Sequence, residues 1–309
     1  MRLLLIHNPR SGRADRTARL GPLLHRFTAS QPPGTELAIT QARGHATALA
    51  RQAVAAGTAR VICVGGDGTM NEVAQALTGT GTELGLVPCG SGNGLARHLC
   101  LPADFQRALA LACDPRAPVA EIDTAAVNER PFFNAMGFGL DAEVSHRFNQ
   151  LTRRGLPAYA RTALGAFFAQ RPQRCRIIAD GRTEWVEAIL VAVANSDQYG
   201  NNARIAPEAR ADDGMLDLIA VRPVGPVGAA ILSARLFLGS FDRSPRVLRL
   251  RGRRFLMERP APGLIHTDGE PYLERESLGI RLAPASLRVV AAPAFRAARP
   301  LSPVPHSPI

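Results

Sequence analysis

Lysine is absent from this chain of 309 residues, so all 37 of its basic residues are arginines. The absence excludes a GxxxxGK[ST] phosphate-binding loop, which depends on its lysine. A GxGxxG dinucleotide fingerprint is also missing, because Leu95 stands at the third glycine position of the stretch that begins at Gly90. Any contact of this chain with phosphate must therefore come from backbone N–H groups, arginine or a metal ion.

Cysteine and aromatic residues are scarce. The five cysteines are odd in number and show neither a CxxC pair nor a metal-ligand spacing. We therefore expect reduced thiols in a cytoplasmic protein. The seven histidines form no HExxH motif, and we interpret His7 and His98 as incidental neighbours of glycine-rich loops.

Long apolar runs are missing as well. Leu3–Ile6 is too short for the apolar part of a signal peptide. The longest apolar stretch of the second half, Val224–Gly239, is interrupted by Arg235 and is shorter than the ~20 residues of a membrane-spanning helix. We expect at most peripheral contact with a membrane.

The charge balance is strongly basic, with a formal net charge of +11 and an isoelectric point near 10.8. Such a charge predicts anionic partners such as nucleotide phosphates or lipid headgroups. Arginines are concentrated between Arg147 and Arg176 and between Arg243 and Arg254. The first group fits either an amphipathic membrane-surface helix or a solvated helix face, and both interpretations stay open. No nucleic-acid partner is expected, because no recognised binding motif is present.

Residues 1–122 predict an α/β domain with a parallel sheet, because predicted strands alternate with predicted helices. The predicted strands are 3–6, 36–40, 60–64 and 84–87, and the predicted helices are 14–29, 44–56, 70–78, 94–99 and 104–113.

Residues 123–292 predict a second, β-rich domain, because short apolar runs become frequent there. Trp185–Ala194 is the longest of these runs and predicts one central strand. Helices are expected near 157–170 and 226–239, and residues 293–309 form a proline-rich tail.

The stretch Arg60–Leu77 is typical of a phosphate site. An apolar strand, Val61–Val64, ends at a glycine-rich turn, Gly65–Thr69, and a helical pattern follows. Glycines allow close approach of the backbone, and the first N–H groups of the helix face an anion. Asp67 would repel a phosphate unless a magnesium ion or water stands between them, or unless it binds a hydroxyl.

Two further loops follow predicted strands. Asn8–Gly12 comes after the first strand, and Pro88–Gly94, with Ser91, comes after the fourth. Ligands of parallel sheets bind at the carboxyl edge, so the three loops are expected to meet there.

Two acidic turns lie in the second half. HTDGEPY places Asp268 and Glu270 on either side of a glycine, where they could supply the base that phosphoryl transfer needs. ADDGMLDL places Asp213 in a turn that could contribute to a hard-cation site. On these residues alone, each turn is more typical of a simple hairpin.

Taken together, these motifs resemble the diacylglycerol kinase and sphingosine kinase superfamily, and most closely its soluble bacterial lipid kinases. The matching stretches are HNPRSGR, GGDGTMNEV, PCGSGNGLARHL, FFNAMGFGLDAEV, ADDGMLDL and HTDGEPY. The resemblance implies an N-terminal domain like that of NAD kinase and diacylglycerol kinase, a β-rich C-terminal domain, and an active site between them.

The resemblance also implies site residues and cofactors. Glu270, aided by Asp268, would be the base, and Asp67 would also be catalytic. A structural magnesium would be held by Asp213 with the main-chain oxygens of Arg210 and Met215. The implied ATP and Mg²⁺ site comprises Asn8, Pro9, Arg10, Ser11, Gly12, Thr40, Gly65, Gly66, Asp67, Gly68, Thr69, Met70, Asn71 and Ser91.

The implied reaction is transfer of the γ-phosphate of ATP to a hydroxyl of diacylglycerol or a similar lipid at a membrane surface. Two alternatives stay open: a kinase of a soluble acceptor such as NAD, and a non-catalytic basic membrane-binding protein. The sequence does not decide which lipid is the acceptor or whether the chain forms a homodimer.

Overall fold

A computed structural model of the chain describes residues 1–12, 14–31, 33–149, 171–199 and 202–297. The helix expected near 157–170 lies outside the described residues, as does most of the proline-rich tail.

The first third of the chain forms the predicted parallel layer. Its elements are β1 (Leu3–His7), α1 (Ala14–Ala29), β2 (Thr35–Ile39), α2 (His45–Ala55), β3 (Arg60–Gly65), α3 (Asp67–Leu77), β4 (Glu83–Pro88), α4 (Gly94–His98) and α5 (Phe105–Cys113). The four strands are parallel in the order β2-β1-β3-β4, which confirms the predicted sheet. Helix α3 begins at Asp67 rather than at Met70, because Gly66 is extended and serves as its N-cap.

The remainder of the chain is rich in strands, as predicted. Its strands are β5 (Val119–Val127), β6 (Arg130–Phe132), β7 (Ala135–Gly139), β8 (Gln173–Ala179), β9 (Arg182–Ala188), β10 (Leu190–Ala194), β11 (Leu216–Val221), β12 (Val247–Gly252), β13 (Arg254–Glu258), β14 (Gly263–Thr267), β15 (Glu270–Glu274) and β16 (Ser277–Val290). Its described helices are α6 (Leu140–Asn149), α7 (Pro226–Leu238) and α8 (Pro293–Ala297), with a 3₁₀ turn at Phe241–Arg243.

The strands form two sheets. The first runs β2-β1-β3-β4-β16-β13-β8-β9, with β5 on β16 and β6 on β5, and the second runs β12-β11-β10-β7-β14-β15. Strand β16 connects the parallel layer to the β-rich half, because Val289 pairs in parallel with Leu84 of β4 while β5 and β13 pair antiparallel to it. The runs 278–282 and 287–290 are therefore one strand with a bulge between Ala283 and Leu287, rather than two strands.

The expectation of one central strand over Trp185–Ala194 is wrong. The run breaks at Ile189, so that β9 forms an edge of the first sheet and β10 lies inside the second. Trp185 is 59% exposed on the edge strand, whereas Val191–Ala194 are buried on both faces. Apolar composition alone does not distinguish the exposed edge strand from the buried strand.

The two sheets pack face to face in the β-rich half, around a core that includes Met136, Phe138, Ile177, Val193 and Met257. In the parallel layer, helices α2 and α3 cover one face and helices α1 and α5 the other. Among the described residues, none of the helices combines the length and the apolar character that a membrane span requires.

Candidate active site

Three loops meet where β1, β3 and β4 end. We call them the Asn8 loop (8–12), the Asp67 turn (65–69) and the Ser91 loop (88–94). The Asn8 amide nitrogen donates to the Thr69 hydroxyl at 2.8 Å, and the N–H of Gly66 donates to the Ser11 hydroxyl at 3.2 Å. These bonds bring together the loops that the sequence predicted to be neighbours.

The contact between the Asp67 turn and the Ser91 loop requires glycine. A Cβ on Gly90 would lie 2.9 Å from the Cα of Gly66, which is closer than side-chain carbons approach backbone. Gly12 has a φ of +92°, and a Cβ there would lie 2.5 Å from the carbonyl oxygen of Cys89. The glycines therefore allow the backbones of neighbouring loops to touch.

Asp67 bridges two of these loops. Its carboxylate oxygens accept hydrogen bonds from the backbone N–H groups of Asn93 and Gly94, each at 2.8 Å. These donors lie at the N-terminus of α4, where backbone N–H groups lack intrahelical acceptors. Asp67 thus positions the Ser91 loop, and the catalytic role expected from the sequence stays a prediction.

The N-terminus of α3 faces the space between the Asp67 turn and Glu270 of the β-rich half, which we call the cleft. The first N–H groups of this helix have no acceptor within the helix, and they carry the positive end of its dipole. Gly68 is exposed there, and the buried Asn71 side chain leaves its Oδ1 without a partner among the described residues. Met70 faces the apolar core, so only its backbone can contribute to a ligand site.

The other predicted nucleotide residues line the rim of these loops. Pro9 and Arg10 are exposed, and the Arg10 N–H donates to the Asn8 side chain at 2.9 Å. Thr40 is buried beside the Asn8 loop, where its N–H donates to the His7 carbonyl at 2.9 Å. Ser91 is exposed at the tip of its loop.

Asp268 lies in the tight turn between β14 and β15, so this turn is indeed a hairpin. Its carboxylate accepts three backbone N–H bonds, from Phe133, Asn134 and Ala135, at 2.8, 2.8 and 3.0 Å. Burial raises the pKa of the Asp268 carboxyl to about 6, and the three N–H bonds oppose that shift. With three contacts to the 133–135 segment, Asp268 fixes the hairpin in place.

Glu270 projects from the same hairpin into the cleft. Its Oε2 accepts hydrogen bonds from Arg43 at 2.7 Å and from Arg130 at 3.2 Å. Its Oε1 lies 3.5 Å from the position that a Cβ on Gly68 would occupy. The Arg130 guanidinium also stacks 3.9 Å from the centre of the Tyr272 ring. A carboxylate from the β-rich half therefore faces the open N-terminus of α3.

A buried polar network lies behind the Ser91 loop. His98 of α4 contacts the Asp197 carboxylate at 2.5 Å, and Ser196 donates to the Asn134 side chain at 3.0 Å. His98 is thus more than the incidental residue expected from the sequence, because it joins the parallel layer to the β-rich half. Burial lowers the pKa of His7, which favours its neutral form.

In the Asp213 turn, the aspartate already pairs with a positively charged side chain. Arg251 lies 2.6 Å from Oδ2 of Asp213, and the Met215 N–H donates to Oδ1 at 3.0 Å. Burial raises the pKa of Asp213, and the Arg251 guanidinium acts in the opposite direction. Arg210 points its guanidinium at Asp212, at 2.9 Å.

A metal at this turn stays a prediction. The described residues contain no group of three His, Cys, Asp or Glu side chains arranged to hold a metal ion. Asp213 is the one carboxylate of the predicted ligand set, so a divalent cation would have to displace the Arg251 guanidinium from it.

Sequence reasoning missed residues that connect distant segments. Arg43 and Arg130 hold Glu270, although they lie far from it in the chain and in no recognisable motif. Glu72 accepts from the N–H groups of Gly44 and Ala46 and so caps α2, the helix beside Arg43. Only the contact between Asp67 and the Ser91 loop had a local signal. The Asn93-Gly94 pair stands directly before a helix, and a helix start needs acceptors for its N–H groups.

Comparisons with known proteins agree with this architecture. Residues 2–125 match the diacylglycerol kinase catalytic domain, and residues 134–291 match the YegS C-terminal NAD kinase beta sandwich-like domain. The chain is 32% identical over 295 residues to a "Probable lipid kinase YegS-like" of Pseudomonas aeruginosa, covering 93% of both chains. It is 32% identical over 264 residues to a protein of the same name from Cronobacter sakazakii, covering 82% of this chain and 85% of the relative.

Solved structures show the same fold at lower identity. A diacylglycerol kinase from Bacillus anthracis superposes with a TM-score of 0.72 at 23% identity, covering 95% of this chain and 98% of the other. An NAD kinase from Archaeoglobus fulgidus, solved in complex with ATP, superposes with a TM-score of 0.54 at 13% identity, covering 96% and 95%. With two matching domain models and relatives aligned along nearly its whole length, this chain belongs to the YegS-like family of lipid kinases.

Proposed function

We propose that the protein transfers the γ-phosphate of ATP to a hydroxyl group of diacylglycerol or a similar lipid. The observation that carries the proposal is the position of Glu270, which faces the N-terminus of α3 from the opposite side of the cleft. A base on one side and an anion-binding helix end on the other suit an in-line phosphoryl transfer.

The parallel layer would bind the nucleotide. The backbone N–H groups at the start of α3 and the adjacent Asn8 loop would contact its phosphates, because this chain has no lysine to do so. The unpaired Oδ1 of Asn71 could accept a hydrogen bond from an amino or hydroxyl group of ATP. Magnesium bound with ATP would neutralise the negative charge that develops during transfer.

Glu270 would accept the proton of the lipid hydroxyl. Arg43 and Arg130 hold its carboxylate in place. Positioned general bases contribute roughly 10²–10⁴-fold to rate. The same guanidinium groups lie beside the expected path of the phosphoryl group and could stabilise its charge.

A lipid acceptor is favoured over NAD by the family of this chain, since its curated relatives are named lipid kinases and the NAD kinase resemblance is restricted to the fold. The diagnostic experiment is incubation of the protein with γ-labelled ATP and, in parallel, diacylglycerol in mixed micelles, a total bacterial lipid extract, and NAD. We expect label in a lipid product identified by mass spectrometry. Label in NADP with none in lipid would refute the proposal.

A further inference from the structure

Helix α7 (Pro226–Leu238) is an apolar helix that the fold leaves largely uncovered. Its 13 residues include no Asp or Glu, and Leu232 is its one fully buried side chain. Helices on the surface of globular proteins normally bury their apolar side and expose their polar side. This helix instead presents apolar residues to solvent.

The exposed residues fall on one face of the helix, which we call the apolar stripe. Its members recur at three- and four-residue spacing and are Val227, Ala230, Ile231, Ala234, Phe237 and Leu238. Val227 is 75% exposed, Ile231 53% and Leu238 79%. The opposite face, with Leu232 and Leu236, packs on the core. Continuous exposed apolar surface of this kind marks an interaction site.

Exposed arginines lie at both ends of the apolar stripe. Arg222 lies shortly before the helix, and its backbone N–H donates to the carbonyl oxygen of Arg246, which follows the helix in the chain, at 2.9 Å. Arg243 follows the helix, and its Nη2 lies 3.7 Å from Oε1 of Glu208. In a chain of net charge +11, cations beside an apolar helix face complement an anionic bilayer surface.

Helix α7 is also linked to the polar network that lies behind the Ser91 loop. The N–H of Arg204 donates to the carbonyl of Leu236 at 2.9 Å, and Arg204 lies 3.7 Å from Asp197, the partner of His98 behind the Ser91 loop. Helix α7 is therefore connected, through Arg204 and Asp197, to the residues that join the parallel layer to the β-rich half.

We propose that α7 docks the enzyme on anionic membranes, with the apolar stripe inserted among the lipids and the flanking arginines on their phosphate headgroups. The inference rests on the proposed function, because a lipid acceptor has to be reached in a bilayer. Helix α7 is the element of the fold that would bring the enzyme to the bilayer.

The test is co-sedimentation with vesicles in the absence of ATP. Wild type should bind vesicles of mixed phosphatidylglycerol and phosphatidylcholine more tightly than vesicles of phosphatidylcholine alone. Ile231→Glu should weaken binding by about tenfold or more, because a charge replaces a side chain that would enter the lipid. Ile231→Leu should bind like wild type. Trp185→Glu, which makes the same charge change at an exposed apolar residue of β9, should also bind like wild type.

A second readout separates docking from chemistry. With a short-chain diacylglycerol dispersed in detergent, Ile231→Glu should retain the wild-type rate, which also shows that the variant is folded. Equal vesicle binding by Ile231→Glu and wild type would overturn the docking proposal, and so would an absence of wild-type binding. Sedimentation equilibrium that showed Ile231→Glu dissociating a dimer would overturn it too, by assigning the stripe to self-association. Vesicle binding without transfer to any lipid would reject the proposed function alone.

Discussion

Replacement of Asp67 should reduce stability as well as activity. The structure gives this carboxylate two bonds of 2.8 Å to the N–H groups of Asn93 and Gly94. Asp67→Ala removes both acceptors and leaves two donors at a helix start unsatisfied.

The magnitude follows from those two bonds. Hydrogen bonds to charged groups are worth roughly 1.5–3 kcal/mol each. The site is only partly buried, so water can reach the donors in part, and we expect a total loss of about 2–4 kcal/mol in the free energy of unfolding. Asp67→Asn should lose less, because its amide oxygen can still accept one of the two N–H groups.

Urea denaturation of wild type, Asp67→Ala and Asp67→Asn measures these differences. Asp104→Ala is a matched control, because Asp104 also accepts one N–H at a helix start, that of Arg107 in α5, far from the cleft. It should lose about 1 kcal/mol and keep wild-type activity. A loss below about 1 kcal/mol for Asp67→Ala would refute the bridging role that we assign to this carboxylate.

Three further outcomes are expected. Asp268→Asn should lower the free energy of unfolding by about 3 kcal/mol, because the amide oxygen can replace only one carboxylate oxygen and the amide nitrogen would then face an N–H donor of residues 133–135; an unchanged urea midpoint would contradict this. Removal of Mg²⁺ with EDTA should leave Tm unchanged, because Arg251 already neutralises Asp213; a fall of several degrees would instead support a structural magnesium there. Arg130→Gln should lower kcat about tenfold by loosening the Glu270 carboxylate that we propose as the base, with little change in KM for ATP; a rise in KM with constant kcat would assign this arginine to nucleotide binding.

Local patterns predicted much of the fold and of the site. The strands and helices of the parallel layer follow from alternating apolar runs and glycine turns, and the three loops meet because parallel strands share a carboxyl edge. The Asp268 turn was recognised from its Asp-Gly pair. These features depend on residues that are close together in the chain.

The features that sequence reasoning missed depend on long-range geometry. Arg43 and Glu270 are separated by most of the chain, and no motif in either segment predicts their contact. The strand breaks at Ile189 because the two halves of the apolar run belong to different sheets, and the composition of the run does not predict this. Likewise, Asp268 and Glu270 are two residues apart, yet one faces the 133–135 segment and the other the cleft, a division set by the hairpin.

The most direct test of the central claim is the turnover number of Glu270→Gln with diacylglycerol in mixed micelles. Glutamine keeps the size of the side chain and can still accept from Arg43, but it cannot take a proton, so kcat should fall by roughly 10²–10⁴-fold while ATP affinity stays close to wild type. Glu274→Gln, on the same strand, should keep wild-type kcat. A Glu270→Gln enzyme with wild-type kcat would contradict the account.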